Sequence, residues 1–234
     1  MLAVLLDPDQ CRGFVLSSTI AELKSNIPDF IFVGGSHTLN SIDSLIDLLK
    51  EEIKTSVILF PGNAVQFSSN AHALLYLSLL SGRNAEFLIG QHVCSAVAIK
   101  KSEIEVIPTG YLLIEGGKST SVGYISNTRP IPSDKKEIAL STAVAGELLG
   151  MKLIYLEAGS GALEPVPADM IECVKAGLSL PLIVGGGIKS AQQLKDAFDA
   201  GADMVVVGNI FESTPSKIAE FVALTKEYQR EEQE

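Results

Sequence analysis

Two acidic side chains stand where predicted β-strands end, and both could do chemistry. Asp7 follows the apolar run Leu2–Leu6, and Glu157 follows Leu153–Leu156. Carboxylates at the carboxyl ends of barrel strands face the reaction centre. Asp7 could hold Mg²⁺, which prefers a few carboxylates together with substrate phosphates, or it could cap the turn at Pro8. Glu157 could act as a general base on a substrate hydroxyl, or it could be a structural carboxylate that binds the amides of the next turn.

Glycine-rich turns follow two later strands and indicate a phosphate site. Three consecutive glycines lie within Val184–Ile188, and Gly208-Asn209 follows the next strand. Glycine lets the backbone turn sharply and leaves its amides free to donate to an anion. Either turn alone fits a simple tight bend, but the pair predicts a bound phosphate. The predicted contacts are Gly186, Gly187, Gly208 and Asn209.

Smaller polar groups at other strand ends are weaker candidates. Ser36 follows Gly34-Gly35 and could give an oxygen to Mg²⁺ or to a phosphate. Taken alone, Ser36 or Thr38 is better interpreted as the cap of the following helix. The histidines have no metal-ligand spacing, and among them we give His92, predicted to follow the fourth strand, the best claim to substrate contact.

The elements that must position these residues alternate between short apolar runs and segments of helical period, a pattern typical of parallel βα units. The predicted strands are Leu2–Leu6, Phe30–Val33, Val57–Phe60, Phe87–Ile89, Val106–Ile114, Leu153–Leu156, Leu182–Val184 and Met204–Val207. The predicted helices include Leu39–Ile53, Lys136–Leu149, Asp169–Ala176, Ala191–Ala200 and Ser216–Arg230. Ser190 is a predicted cap for the helix at Ala191, and Gly201 is predicted to end it.

This alternation predicts an α/β fold, and we favour a (β/α)₈ TIM barrel over an open doubly wound sheet. In many barrels the loops after the last two strands bind phosphate, as the two glycine turns would here. No GxGxxG or GxxxxGK[ST] motif favours a nucleotide fold. The third βα unit, Pro61–Asn70, is weakly helical, so we expect the barrel to be modified there. Glu115–Asp134 is long for a connection and predicts a lid or rim.

Composition limits the class of protein. The 234 residues are 47% hydrophobic, which suits a single domain over residues 1–230, with a frayed acidic tail at 231–234. The net charge of −10, with no basic run longer than Lys135-Lys136, argues against a nucleic-acid partner. The odd, widely spaced cysteines indicate reduced thiols in the cytoplasm.

Targeting signals are also missing from the sequence. No run approaches the roughly 18 apolar residues of a membrane span, and no secretory signal precedes the first strand. The chain begins almost within that strand, so we expect a short leading segment to be absent from it.

Six motifs occur in the order seen in geranylgeranylglyceryl phosphate synthases and their bacterial relatives, and the sequence resembles that family over nearly its whole length. The motifs are Leu6–Asp9, Val33–Ser36, Phe60–Asn63, Tyr155–Gly161, Val184–Ile188 and Val207–Asn209. The segment YLEAGSG at Tyr155–Gly161 is highly specific, whereas the turns GGGI and VGN are shared with many phosphate-binding barrels.

The resemblance implies a prenyltransferase that joins geranylgeranyl diphosphate, or a similar prenyl diphosphate, to sn-glycerol 1-phosphate and releases diphosphate, a step of ether phospholipid biosynthesis. It implies Mg²⁺ at Asp7 and Ser36, and it implies Glu157 and Tyr155 as catalytic residues, with Glu157 as the base. The implied glycerol phosphate clamp consists of Tyr155, Leu156, Glu157, Ala158, Gly159, Ser160 and Gly161. Dimers or hexamers occur among relatives, so we expect a homo-oligomer, with transient membrane contact for the lipid product.

One position departs from the family pattern. Some relatives carry a lysine two residues before the first aspartate, where this chain has Leu5, so Lys118 or Arg129 is a candidate replacement cation. A prenyl groove along His72–Leu80 and Val93–Ile99 is a hypothesis, since ordinary core packing is favoured for both segments. The alternative functions are another phosphosugar-binding barrel enzyme, such as an isomerase or aldolase, and a non-catalytic phosphate-binding protein.

Overall fold

Eight parallel strands close into a barrel in chain order in this computed structural model, which describes residues 1–231. The strands are β1 (Leu2–Leu6), β2 (Phe30–Val33), β3 (Ser56–Leu59), β4 (Ala73–Leu79), β5 (Glu105–Leu113), β6 (Leu153–Glu157), β7 (Leu182–Gly185) and β8 (Met204–Val207). Closure is explicit in the register, because Val4 of β1 pairs with Ile31 of β2 on one side and with Val207 of β8 on the other. The predicted TIM barrel is confirmed.

Helices surround the barrel and connect its strands. They are α1 (Gly13–Ser25), α2 (Ile42–Glu52), α3 (Gln91–Ser102), α4 (Ser121–Ser126), α5 (Lys136–Leu148), α6 (Ala168–Ala176), α7 (Ala191–Asp199), α8 (Asn209–Ser213) and α9 (Lys217–Glu231). The predicted tail residues 232–234 lie outside the described residues. None of the helices within residues 1–231 has both the length and the apolar character needed to cross a bilayer.

The alternation of side chains along the strands produces two cores. On β6, Leu156 points outward into the layer between barrel and helices, whereas Tyr155 points into the barrel. Successive strand residues face opposite sides of a sheet, so Glu157 shares the inner face with Tyr155. The period of the strand therefore aims the acidic residue at the interior of the barrel.

The predicted fourth strand, Phe87–Ile89, is wrong. The fourth strand is Ala73–Leu79, which pairs with β5 along its whole length, and Glu86–Gly90 forms a π-helical turn that leads into α3. A short apolar run does not distinguish a strand from a buried helical segment by period alone. His92 consequently lies on α3 and not directly after a strand.

The third βα unit is modified, as expected, since only the 3₁₀ turn Ala64–Gln66 stands between β3 and β4. The cap of α7 is also confirmed, because the Ser190 side chain accepts a hydrogen bond from the amide of Gln193. The predicted capping of α2 by Ser36 or Thr38 is wrong, because that helix begins at Ile42, beyond the reach of either hydroxyl.

The segment Glu115–Asp134 is a rim that contains one short helix, α4. Thr120 caps this helix by accepting from the amide of Gly123, at 3.3 Å. A β-bridge between Ile114 and Ile131 ties the base of the segment to the barrel. Val122 of α4 packs against the core inside the barrel.

Candidate active site

A cavity of about 470 Å³ is lined by residues at the carboxyl ends of the strands and in the loops that follow. The predicted site residues that line it are Asp7, Ser36, Tyr155, Glu157, Ser160, Gly161, Gly186, Gly187, Gly208 and Asn209. Three predicted clamp residues do not line it. Leu156 and Ala158 belong to the outer core, and the amide of Gly159 is turned toward Glu157. The side chains of Leu156 and Ala158 therefore face away from the cavity, because strand alternation turns Leu156 outward. Any part they take in the clamp would be through their backbone, and it stays a prediction.

Glu157 is the most deeply buried acidic side chain on the cavity wall, with 6% of its surface exposed. Its Oε1 accepts a 2.6 Å hydrogen bond from the amide of Gly159, as the structural interpretation of this residue expected. Burial nevertheless raises the pKa of Glu157 to about 7, against the lowering effects of the Tyr155 hydroxyl and the Gly159 amide. A carboxyl group with this pKa is suited to exchange protons near neutral pH.

Tyr155 supports Glu157 from inside the barrel. Its ring is fully buried and stacks on Phe60 with a centroid separation of 5.4 Å, while Tyr111 lies at the same distance in a tilted arrangement. The Tyr155 hydroxyl forms no hydrogen bond of good geometry, but it lies close enough to lower the pKa of Glu157. Aromatic packing thus fixes the position of a polar group beside the carboxylate.

The turn at the end of β7 requires glycines because its backbone comes very close to Glu157. Gly186 and Gly187 have φ angles of 78° and 76°, in the left-handed region that favours glycine. A side-chain carbon at Gly186 would lie 2.3 Å from Oε1 of Glu157. The β7 turn therefore packs directly against the carboxylate, and only glycine permits this contact.

Asn209 connects the β8 turn to the clamp segment. Its carboxamide oxygen accepts from the amide of Gly161 at 2.8 Å and from the hydroxyl of Ser160 at 3.1 Å. Since Gly161 follows β6 and Asn209 follows β8, one side chain joins the predicted clamp segment to a predicted phosphate-binding turn. The turns that the sequence separates widely thus meet at one side of the cavity.

Two further carboxylates, those of Asp7 and Glu212, line the cavity. Oδ1 of Asp7 accepts from the amide of Asp9 at 2.8 Å, so the turn-capping role proposed for Asp7 is real. Its Oδ2 faces Gly35, where a side-chain carbon would lie 2.6 Å away. Glu212 lines the same cavity, and burial together with the nearby Asp7 raises its pKa.

No cluster of three or more His, Cys, Asp or Glu side chains in residues 1–231 could hold a metal ion alone. Mg²⁺ does not need such a cluster, because it usually binds one or two carboxylates and completes its shell with water and substrate phosphates. Asp7 and Ser36 both line the cavity, and their side-chain oxygens are donors of the kind that such a site needs.

The cavity continues between β4 and α3. Leu77 and Ser95 line this part, so both segments of the groove hypothesis contribute to the wall. His92 is also in the wall, with its Nε2 3.2 Å from the Ser78 hydroxyl and its ring edge-on to Tyr76 at 4.4 Å. Burial lowers the pKa of His92, which favours a neutral ring. His92 thus lines the cavity from a helix, and its contact with a substrate stays a prediction.

Cations near the phosphate turns come from two loops. Nζ of Lys118 would lie 3.3 Å from a side-chain carbon at Gly161, so the rim segment brings this lysine to the clamp. Lys189, directly after the β7 turn, lines the cavity, and its Nζ donates to the carbonyl of Leu163 at 2.9 Å. Arg129 is not part of the cavity lining.

Sequence reasoning missed Tyr111, Lys189 and Glu212 as cavity residues. Lys189 carried a usable signal, because it follows the GGGI turn by one position. Glu212 carried a weaker one, as it stands one helical turn beyond Asn209. Tyr111 offered none, because it lies within a long β-rich run whose inward face only the barrel decides.

Known proteins are similar to this chain in sequence and in fold. The sequence profile of the PcrB family matches residues 3–225. A geranylgeranylglyceryl phosphate synthase from Chitinophaga pinensis is 51% identical over 219 residues, covering 93% of this chain and 87% of that protein. One from Pyrococcus abyssi is 41% identical over 216 residues, covering 91% of this chain and 84% of that protein.

A solved structure shows the same architecture. The crystal structure of (S)-3-O-geranylgeranylglyceryl phosphate synthase from Thermoplasma acidophilum, in complex with sn-glycerol-1-phosphate, is similar to this chain with a TM-score of 0.89 and 35% identity. The similarity covers 97% of this chain and 93% of that one. The likeness thus extends over nearly the whole chain.

Proposed function

The chain belongs to the PcrB family and is a prenyltransferase of the geranylgeranylglyceryl phosphate synthase type, and we propose that it joins a prenyl diphosphate such as geranylgeranyl diphosphate to sn-glycerol 1-phosphate. The product is a prenylglyceryl phosphate ether, the precursor of an ether phospholipid, and diphosphate is released. One observation carries the proposal. Glu157, with its pKa raised to about 7, lies against the Gly186 turn and lines the same cavity as residues of β4 and α3.

The glycine turns hold the phosphate of sn-glycerol 1-phosphate. Gly186, Gly187 and Gly208 present backbone at the cavity wall without side chains, and backbone amides in such turns donate to anions. Lys189 and Lys118 add positive charge nearby. Fixing the phosphate at this wall directs the glycerol hydroxyl toward Glu157, and such positioning contributes several kcal/mol to catalysis.

Glu157 then accepts the proton of the attacking hydroxyl. The hydroxyl oxygen forms a bond to the first carbon of the prenyl chain while the bond from that carbon to diphosphate breaks, and the diphosphate leaves with the bonding electrons. The Tyr155 hydroxyl beside Glu157 favours the ionised carboxylate that must accept the proton.

Asp7 and Ser36 would hold Mg²⁺. When bound, the ion would neutralise negative charge on the departing diphosphate. The position of Oδ2 of Asp7 beside Gly35 supports this assignment, since any larger residue at position 35 would fill the space in front of it. Asp7→Asn is expected to weaken binding of Mn²⁺, used as a spin-active substitute, with little effect on binding of sn-glycerol 1-phosphate.

The prenyl chain would occupy the groove between β4 and α3, whose wall includes Leu77 and Ser95. Self-association and a cytoplasmic location belong to the same proposal. Exposed apolar residues Ile89, Val93 and Val97 recur at helical spacing along the π turn and α3, and this stripe supports assembly into a dimer or hexamer. Sedimentation velocity measures the assembly directly.

The experiment is incubation of the protein with sn-glycerol 1-phosphate, Mg²⁺ and labelled prenyl diphosphates of increasing length. We expect an ether product with at least one of them and release of one diphosphate per product. Omitting Mg²⁺ in the presence of a chelator should stop the reaction. No ether product at any prenyl length would refute the proposed activity.

A further inference from the structure

One side chain of the β8 turn is held from both ends. The carboxamide oxygen of Asn209 accepts from the Gly161 amide and the Ser160 hydroxyl, while its Nδ2 donates to Oε2 of Glu212 at 3.3 Å. Glu212 stands three residues after Asn209 on α8, on the same helical face. The hydrogen bonds run without interruption from Glu212 to the clamp turn.

We propose that Glu212 is a positioning residue that fixes the orientation of the Asn209 carboxamide and thereby the clamp turn at Gly161. The inference rests on the proposed function, because it assigns this turn to the binding of sn-glycerol 1-phosphate. An ionised carboxylate only accepts hydrogen bonds, whereas a carboxamide has one donating and one accepting end. Glu212 therefore requires the NH₂ end of Asn209 and directs the oxygen toward Gly161.

The opposite orientation of Asn209 would be unfavourable. It would place the Nδ2 donor against the Gly161 amide, which is also a donor, and the carboxamide oxygen against the Glu212 carboxylate. Both hydrogen bonds would be lost at once, and each is of the kind that contributes about 1 kcal/mol or more. The carboxylate of Glu212 thus selects one of two orientations that have nearly the same shape.

Within residues 1–231, Asn209 is the hydrogen-bond partner found for the Glu212 side chain. Glu212 is half-buried in the cavity wall, and none of the ion pairs found within residues 1–231 includes it. Partial burial of a carboxylate is unfavourable without compensation. The Asn209 amide supplies a hydrogen bond to it, so Glu212 and Asn209 stabilise each other.

The test compares variants that keep or remove the acceptor. Glu212→Gln keeps a carbonyl oxygen that can accept from Asn209, whereas Glu212→Leu has similar bulk and no acceptor. Calorimetry with sn-glycerol 1-phosphate alone should show affinity about threefold to tenfold weaker for Glu212→Leu and near wild type for Glu212→Gln. In an Asn209→Ala background, Glu212→Leu should have no further effect, because the side chain through which Glu212 acts is gone.

A second measurement needs no ligand. Amide hydrogen exchange at Gly161 should be faster in Glu212→Leu than in the wild type and unchanged in Glu212→Gln, with melting temperature as the check on folding. If the wild type binds no sn-glycerol 1-phosphate, the proposed function fails, while exchange at Gly161 still reports whether Glu212 holds the turn. Unchanged exchange in Glu212→Leu would overturn the positioning role.

A different result would indicate that Glu212 binds the cation. In that case both Glu212 variants would lose affinity for Mn²⁺, and the loss of sn-glycerol 1-phosphate affinity would persist in the Asn209→Ala background. This pattern would overturn the inference that Glu212 acts through Asn209.

Discussion

Glu157 is a carboxyl group whose proton affinity is set mainly by its burial. Water is excluded from it, so its charged form is disfavoured and its pKa rises to about 7. Two neighbours oppose this effect, the Gly159 amide at 2.6 Å and the Tyr155 hydroxyl. The balance leaves a group that can be ionised at neutral pH and still take up a proton.

Replacement of Glu157 by glutamine tests this role at the level of one atom. Glu157→Gln keeps the shape and an oxygen that can accept from Gly159, but it cannot accept the hydroxyl proton. We expect turnover to fall by roughly 10²–10⁴-fold, with the fold retained by circular dichroism. In the wild type kcat/KM should rise with pH through about 7, since the base must be ionised. Turnover of Glu157→Gln equal to the wild type would remove Glu157 as the base.

The β7 turn requires glycine because of a steric contact and not only because of its backbone angles. Both Gly186 and Gly150 have positive φ angles, 78° and 91°. A side-chain carbon at Gly150 would meet nothing within 4 Å, whereas at Gly186 it would lie 2.3 Å from Oε1 of Glu157. Alanine at either position would strain the backbone, but only alanine at Gly186 would also make a steric contact. The two substitutions therefore distinguish these effects.

Alanine at each position should give different results. Gly150→Ala is expected to lose about 1–2 kcal/mol of stability from the left-handed backbone and to keep its activity. Gly186→Ala is expected to lose activity by about 100-fold as well, because displacement of Glu157 disturbs the geometry of proton transfer. Chemical denaturation and steady-state kinetics measure the two effects. Equal activities of the two variants would contradict a steric requirement at Gly186.

Helix α3 is the element expected to limit the length of the prenyl chain. Ser95 is small, buried and in the cavity wall, while Val97 on the same helix is 68% exposed. Ser95→Phe should fill the groove and lower kcat/KM for geranylgeranyl diphosphate by about tenfold or more relative to shorter prenyl diphosphates. Val97→Phe is the control and should leave the preference unchanged. A length preference in Ser95→Phe identical to that of the wild type would place the chain elsewhere.

The stability of the whole molecule should depend on pH through Glu157. Its pKa is raised from 4.5 to about 7 on folding, so the folded state binds the proton more tightly than the unfolded state. The corresponding stability is fully present below pH 4.5 and is lost as pH rises through about 7. We expect the wild type to lose about 3 kcal/mol of unfolding free energy over this range that Glu157→Gln retains. Urea denaturation at a series of pH values measures this loss of unfolding free energy. Glu51→Gln, an exposed change on α2, is the control and should behave as the wild type. Parallel curves of unfolding free energy against pH for the wild type and Glu157→Gln would contradict the raised pKa.

Across the whole molecule, the sequence alone was sufficient for the parallel βα units, because the alternation of apolar strands and periodic helices is a local property of the chain. The two glycine turns then favoured a closed barrel over an open sheet. The sequence also identified Asp7, Glu157 and the glycine turns, since unusual residues at strand ends stand out against an apolar background. It failed at β4, where Phe87–Ile89 and Ala73–Leu79 are both apolar and only pairing with β5 decides between them.

The tertiary structure decided which side chains meet. Closure of the barrel brings Glu157 of β6 against Gly186 after β7, and it brings Gly161 within hydrogen-bond distance of Asn209. It also places Glu212 on the cavity wall with Asp7, although more than two hundred residues of chain separate them. Residue type and period are local and can be read along the chain, but contacts between distant strand ends exist only once hydrogen bonding between β8 and β1 has closed the ring.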